Sequence, residues 1–213
     1  MKLIVKMATR SRPEKFKLVL KNYIDFLSGE HDVRFVITCD LDDETMNTEE
    51  MRAWFEETRK SVDLVYRYGN STSKVEACNA DLEDETGDVL LVTSDDMIPA
   101  AMNYDSIIAQ GFDEIFPNYD GAIKFNDGLR NDALMTLPCI GWKLYKAIGH
   151  CYHPDYTSVY CDDEQTHENS DDLHKRNESY YGVDGEVFKR RSENNFDIDE
   201  VRERLGLPVP AKS

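Results

Sequence analysis

Short β-rich apolar runs alternate with segments of helical spacing over about the first hundred residues, an order that leaves little besides a sheet covered by helices. KLIVKMA (residues 2–8) reads as a strand. Pro13 then opens a helix in which Phe16, Val19, Leu20, Tyr23, Ile24 and Leu27 share one face, with Gly29 as its stop. VRFVITC (33–39), VDLVYRY (62–68) and VLLVT (89–93) read as further strands, and TEEMRAWFEETRK (48–60) and SKVEACNADLEDE (73–85) as the helices between them. Strands joined through helices pair by right-handed crossovers. The spacing therefore predicts βαβ units and an α/β fold with a central mostly parallel sheet flanked by helices, an architecture suited to nucleotides.

After Pro99 the alternation loosens. YDSIIAQGF (104–112) and WKLYKAIG (142–149) read as helices, and GAIKFND (121–127) and ALMTLPCIG (133–141) as strands. Residues 162–195 are dense in Asp, Glu, His, Arg and Asn with few apolar anchors, which predicts a loop, a mobile lid or an exposed helix. A last helix is expected from about Asp197, ahead of a proline-interrupted coil.

A chain of 213 residues, 40% of them hydrophobic, suffices for one sizeable core. Its net charge of −17, from 42 acidic against 25 basic residues, argues against general nucleic-acid binding and against an anionic membrane surface. Cys39, Cys78, Cys139, Cys151 and Cys161 lack CxxC spacing and sit mostly inside apolar runs, so free thiols in a reducing cytoplasm are expected. No stretch approaches the length of a membrane span, and MKLIVKMATRSRP lacks the apolar core of a signal peptide, so a soluble protein is expected.

The stretch GDVLLVTSDDMIP (87–99) drives a buried strand straight into two acids, Asp95 and Asp96. Ligands of open α/β sheets bind beyond the carboxyl ends of the strands, where such a pair holds a cation or a polar substrate. A solvated turn is the alternative, since Asp favours turns and caps for its own reasons.

Four separate stretches, in order, resemble the GT-A glycosyltransferases, most nearly glycosyltransferase family 2, over residues 1–165. GNSTSKVEACNADL (69–82) is similar to the family's N…GK…A.N.GL segment through Asn70, Lys74, Ala77 and Asn79. CDLDDET (39–45) resembles the acid-rich turn after the second strand, SDD (94–96) resembles the metal-binding DxD segment, and VYCDDEQ (159–165) resembles the late acidic pair that contains the catalytic base. Two departures stand out: Ser94 replaces the first DxD acid, and the first loop, ATRSRP, carries Arg10 and Arg12 in place of aromatic residues. The resemblance implies a Rossmann-like GT-A fold. It implies one catalytic domain over 1–195, with a nucleotide-sugar half at 1–100 and an acceptor half with a possible lid at 101–195, followed by a helix and tail at 196–213.

The activity implied is metal-dependent transfer of a sugar, with inversion, from a nucleotide-sugar donor to a hydroxyl acceptor. Breaking a sugar–diphosphate bond leaves negative charge on the departing nucleotide, which Mn²⁺ or Mg²⁺ held by hard carboxylates neutralises. Asp96 is the expected direct ligand, with Asp95 beside it, and the resemblance implies His174 or His167 as a late ligand. Donor contacts are expected from Thr9, Arg10 and Arg12 at the first loop, from Asp40 with Asp42 or Asp43, from Asp95, and from Lys74 and Asn79. Lys74 stands in the first turn of a helix, where a cation opposes the dipole and so wants a reason to be there. Asp162 or Asp163 is the expected base that deprotonates the acceptor. Trp142 offers an apolar face for the acceptor, though a Trp beside a strand equally serves a core. Glycan, protein, small molecule and modified DNA base all fit as acceptors. A sugar-phosphate nucleotidyltransferase is the same-fold alternative, opposed by the glycine-free first loop, and an inactive binding module is the alternative that Ser94 supports.

Overall fold

The computed structural model describes residues 1–125, 136–158 and 161–162, together with strands at 180–183 and 188–190. Strand β1 (Lys2–Thr9) leads through α1 (Pro13–Asp25) to β2 (Asp32–Asp40), then through α2 (Glu49–Thr58) to β3 (Asp63–Gly69), and through α3 (Lys74–Asn79) to β4 (Val89–Ser94). These four strands are mutually parallel in the order β3-β2-β1-β4. Their continuous apolar runs follow from that placement, since both faces of the sheet are covered. Leu3, Val5 and Met7 pack with α1 residues Phe16, Val19 and Leu20, while Ile4 packs on the opposite face with Val75 and Cys78 of α3.

The helices begin where their local chemistry directs. Pro13 supplies a first-turn residue whose missing N–H costs nothing, the Thr48 hydroxyl accepts from Met51 N at 3.1 Å, and the Ser73 hydroxyl accepts from Glu76 N at 3.1 Å. Their ends depart from expectation. Helix α1 stops at Asp25, short of Gly29, and beyond it Ser28 is bound to buried Asp105, which accepts from its N–H at 2.9 Å and its hydroxyl at 2.6 Å. Helix α3 stops at Asn79 where the sequence predicts helix to residue 85. Asp81 is held at φ 64° and accepts from Thr38 Oγ1 at 2.5 Å, and the wholly buried Lys6 of β1 donates to the same hydroxyl. Burial lowers the pKa of Lys6, while Asp81 opposes that shift.

The second half carries β5 (Met97–Pro99), α4 (Tyr104–Ile115), β6 (Ala122–Phe125), β7 (Cys139–Gly141), α5 (Trp142–Ile148), β8 (Tyr180–Val183) and β9 (Phe188–Arg190). The main sheet has seven strands in the order β3-β2-β1-β4-β7-β6-β8, with β7 antiparallel to both its neighbours, and β5 pairs with β9 in a second, two-stranded sheet. Two strands thus fall in the segment 162–195 that composition assigns to loop, lid or helix. Tyr180–Val183 and Phe188–Arg190 find their partners only in three dimensions. The tail at 196–213 lies outside the described residues. Among the described residues no helix is long and apolar enough to cross a membrane.

Gly141 marks the tightest joint. A Cβ there would fall well inside van der Waals contact with the Tyr119 carbonyl, which accepts from Lys143 N at 3.2 Å. Gly141→Ala is therefore expected to destabilise the fold by about 2 kcal/mol or more, read as a lowered urea midpoint, because backbone cannot yield as a flexible side chain would.

Candidate active site

The carboxyl ends of β1, β2, β3 and β4 open together into a cleft of about 750 Å³, lined among others by Thr9, Arg12, Asp40, Asn70, Lys74, Ser94 and Asp96. This is the edge at which a parallel sheet collects loop residues from several strands.

The two acids of the β4–β5 turn face different ways. Asp96 lines the cleft, half-buried, and its carboxylate accepts from the Ser94 hydroxyl. Asp95 is wholly buried beneath, with Oδ1 2.7 Å from Arg12 Nη2 and Oδ2 3.5 Å from Thr9 Oγ1. Burial raises the pKa of Asp95, while the charges of Arg12 and Lys15 pull it down. Asp95 thus fits neither of its expected roles, metal ligand or donor contact, because a hydrated cation cannot reach a carboxylate enclosed this way. Asp96 fits: Mg²⁺ is commonly anchored by one or two protein carboxylates, with water and phosphate oxygens in its other positions. Among the described residues no three His, Cys, Asp or Glu side chains group as a metal cage.

At the end of β2, Asp40 is buried at the cleft wall. Arg10 Nη1 donates to Asp40 Oδ2 at 2.8 Å and forks onto Asp42 at 2.6 and 3.0 Å. Asp40 Oδ1 is buried without a hydrogen-bond partner. Asp43 is spent on structure. Burial alone would raise its pKa, but the Thr45 hydroxyl and the N–H groups of Ser11, Thr45 and Met46 hold it below the usual range. Its bond to Ser11, at φ 63°, fixes the first loop against the second.

Lys74 opens α3 on the other wall, exposed, with Nζ 5.9 Å from the Tyr152 ring centre. Burial, with Cys78, Cys161 and Asp162 nearby, pushes the Tyr152 hydroxyl well above its ordinary pKa. Asp162 is half-buried. Asp163, His167 and His174 lie outside the described residues. The polar run Asn70, Ser71, Thr72 and Ser73 lines the cleft as well. Only Asn70 of that run figures in the family resemblance, and the Ser/Thr cluster directly after a strand was the signal for the others.

Two expected contacts are drawn elsewhere. Asn79 Nδ2 donates to Tyr152 O at 2.7 Å, and Asn79 Oδ1 accepts from Cys151 N at 2.7 Å and Tyr152 N at 3.1 Å, so the amide ties α3 to a distant loop and not to a donor. Trp142 follows β7, which runs antiparallel to β4, so it emerges at the amino end of β4, where its N–H donates to Asp88 O at 2.7 Å. That is the far edge of the sheet from Asp96. Trp142→Ala is accordingly expected to change kcat/KM by less than about threefold, whereas a ring that carried an acceptor would cost more than tenfold.

No protein-family model matches the chain, and no curated protein matches it. Solved structures do. S. aureus TarS 1–349 superposes with a TM-score of 0.65 at 14% identity, over 89% of this chain and 60% of that one. The mannosyltransferase PcManGT of Pyrobaculum calidifontis, in complex with GDP-Man and Mn²⁺, superposes with a TM-score of 0.59 at 18% identity, over 77% of this chain and 50% of that one. Glucosyl-3-phosphoglycerate synthase of Mycobacterium tuberculosis, in complex with Mn²⁺, UDP and phosphoglyceric acid, gives 0.58 at 12% identity, over 98% and 80%. The chain has the GT-A fold. The chain spans about 60% of the TarS segment it matches.

Proposed function

We propose that this GT-A chain is a nucleotide-sugar-dependent glycosyltransferase that moves a sugar from a nucleoside diphosphate to a hydroxyl acceptor with inversion. One observation carries the reading: a single cleft at the carboxyl edge of the sheet gathers the Asp96 carboxylate, the cations Arg12 and Lys74, and Asp40. Asp96 would anchor Mn²⁺ or Mg²⁺, with His174 as a further ligand, and a cation there supplies Lewis-acid neutralisation of the departing diphosphate. Asp40 with Asp42 and the first loop with Thr9 and Arg10 receive the nucleoside, while Arg12 and Lys74 face the phosphates. Asp162 or Asp163 takes the acceptor proton as its oxygen attacks the anomeric carbon.

The catalytic domain spans 1–195, and its acceptor is a hydroxyl compound. Nucleic acid in general is disfavoured by the net charge of −17. The five cysteines are all buried and free, which fits work in the cytoplasm. The test is a panel of nucleotide sugars scored for Mn²⁺-dependent release of the nucleoside diphosphate. Release from at least one donor is expected. Formation of nucleotide sugar from a nucleoside triphosphate would instead establish the nucleotidyltransferase, and binding without turnover the inactive module.

A further inference from the structure

Asp95 poses a problem that the transferase reading leaves open. The Asp95 carboxylate has no exposed surface, and its Oδ1 faces Arg12 Nη2 at 2.7 Å as an ion pair outside hydrogen-bond geometry. Arg12 itself is half exposed and lines the cleft. A guanidinium has five N–H donors in a rigid fork, so one edge can rest on Asp95 while the rest serve a second anion. Arg10, two residues earlier, has no such freedom, being forked between Asp40 and Asp42. Arg12 also stands at the N-terminus of the 13-residue helix α1, whose positive dipole end adds to the same potential. Lys74 lines the cleft from the wall formed by α3.

We infer that Arg12, aimed by the buried Asp95, is a catalytic cation that grips the diphosphate together with Lys74, and that Asp95 is a positioning residue. The inference rests on the proposed glycosyltransferase reading. In the reaction the bond between the anomeric carbon and the β-phosphate oxygen breaks, and its electron pair leaves with the diphosphate. The acceptor oxygen bonds to the anomeric carbon, and its proton passes to the base. One further negative charge therefore develops on the departing phosphate, within reach of N–H donors already fixed in place. Charge compensation at this site is thus built partly into the chain, and nucleotide binding persists when divalent cations are removed.

Calorimetry with the full chain, using UDP and GDP as probes in EDTA and in Mn²⁺, tests this. In EDTA, Arg12→Ala is expected to weaken binding at least about tenfold and Arg12→Lys less, since an ammonium keeps the charge but loses the fork. Asp95→Asn is expected to weaken binding several-fold in EDTA while leaving the gain from Mn²⁺ unchanged, and the double variant to bind no worse than Arg12→Ala alone. Unaltered affinity of Arg12→Ala in EDTA would overturn the role of Arg12. Loss of the Mn²⁺ gain in Asp95→Asn, with EDTA binding intact, would make Asp95 a metal ligand instead. If Asp95→Asn does not fold, the half-exposed Arg12 variants decide alone. A wild-type chain that binds neither nucleotide in either medium would overturn the transferase reading itself.

Discussion

Asp96→Ala is expected to abolish the strengthening of nucleoside diphosphate binding by Mn²⁺ and to lower sugar transfer by about a hundredfold or more. The magnitude follows from what a bound divalent cation supplies to a departing diphosphate, several kcal/mol of charge stabilisation, when each tenfold in rate needs about 1.4 kcal/mol. Asp96 is the acid of the turn that reaches the cleft, and its neighbour Asp95 is enclosed and paired, so no second carboxylate of the turn takes over. Calorimetry with and without EDTA reads the first effect and donor turnover the second. Equal wild-type affinity in both media would remove the metal from the site and return Asp96 to a turn residue bonded to Ser94.

The second large effect is expected at the late acidic pair. Changing Asp162 and Asp163 together to Asn should lower turnover about 10²- to 10⁴-fold while nucleotide affinity stays within a few-fold, because the acceptor proton moves only in the transition state. Steady-state kinetics paired with nucleotide calorimetry separates the two quantities. Unchanged turnover would refute the assignment, and a parallel loss of binding would turn the pair into a structural or metal-binding element. Asp162 is half-buried and lies near Tyr152, whose ring centre is 5.9 Å from Lys74 Nζ.

How much of this was legible in the sequence differs by element. The four parallel strands and the starts of α1, α2 and α3 follow from local signals: apolar runs long enough to be buried on both faces, Pro13, and the capping hydroxyls of Thr48 and Ser73. Helix ends were less legible, because they depend on partners far along the chain. The stop of α3 is set by Asp81 meeting Thr38, and that of α1 is accompanied by Ser28 meeting Asp105, 77 residues away. Strands β5 and β9 were invisible for the same reason, since Met97–Pro99 has a ladder only once Phe188–Arg190 lies beside it.

The same division runs through the site. Sequence alone determined that acids close β2 and β4, that arginines follow β1 and that a lysine opens α3, because parallel topology sends all four strand ends to one edge. Tertiary structure decided what each side chain does there. A period of 3.6 or 2 assigns a face but says nothing about distant partners, so adjacent Asp95 and Asp96 read alike until one is buried against Arg12 and the other left in the cleft. Asn79 matched a family segment, yet its amide is used up on the backbone of Cys151 and Tyr152. Trp142 looked suited to an acceptor until the reversed direction of β7 carried it to the opposite edge. Direction and burial are properties of the assembled sheet, and no local pattern of residues encodes them.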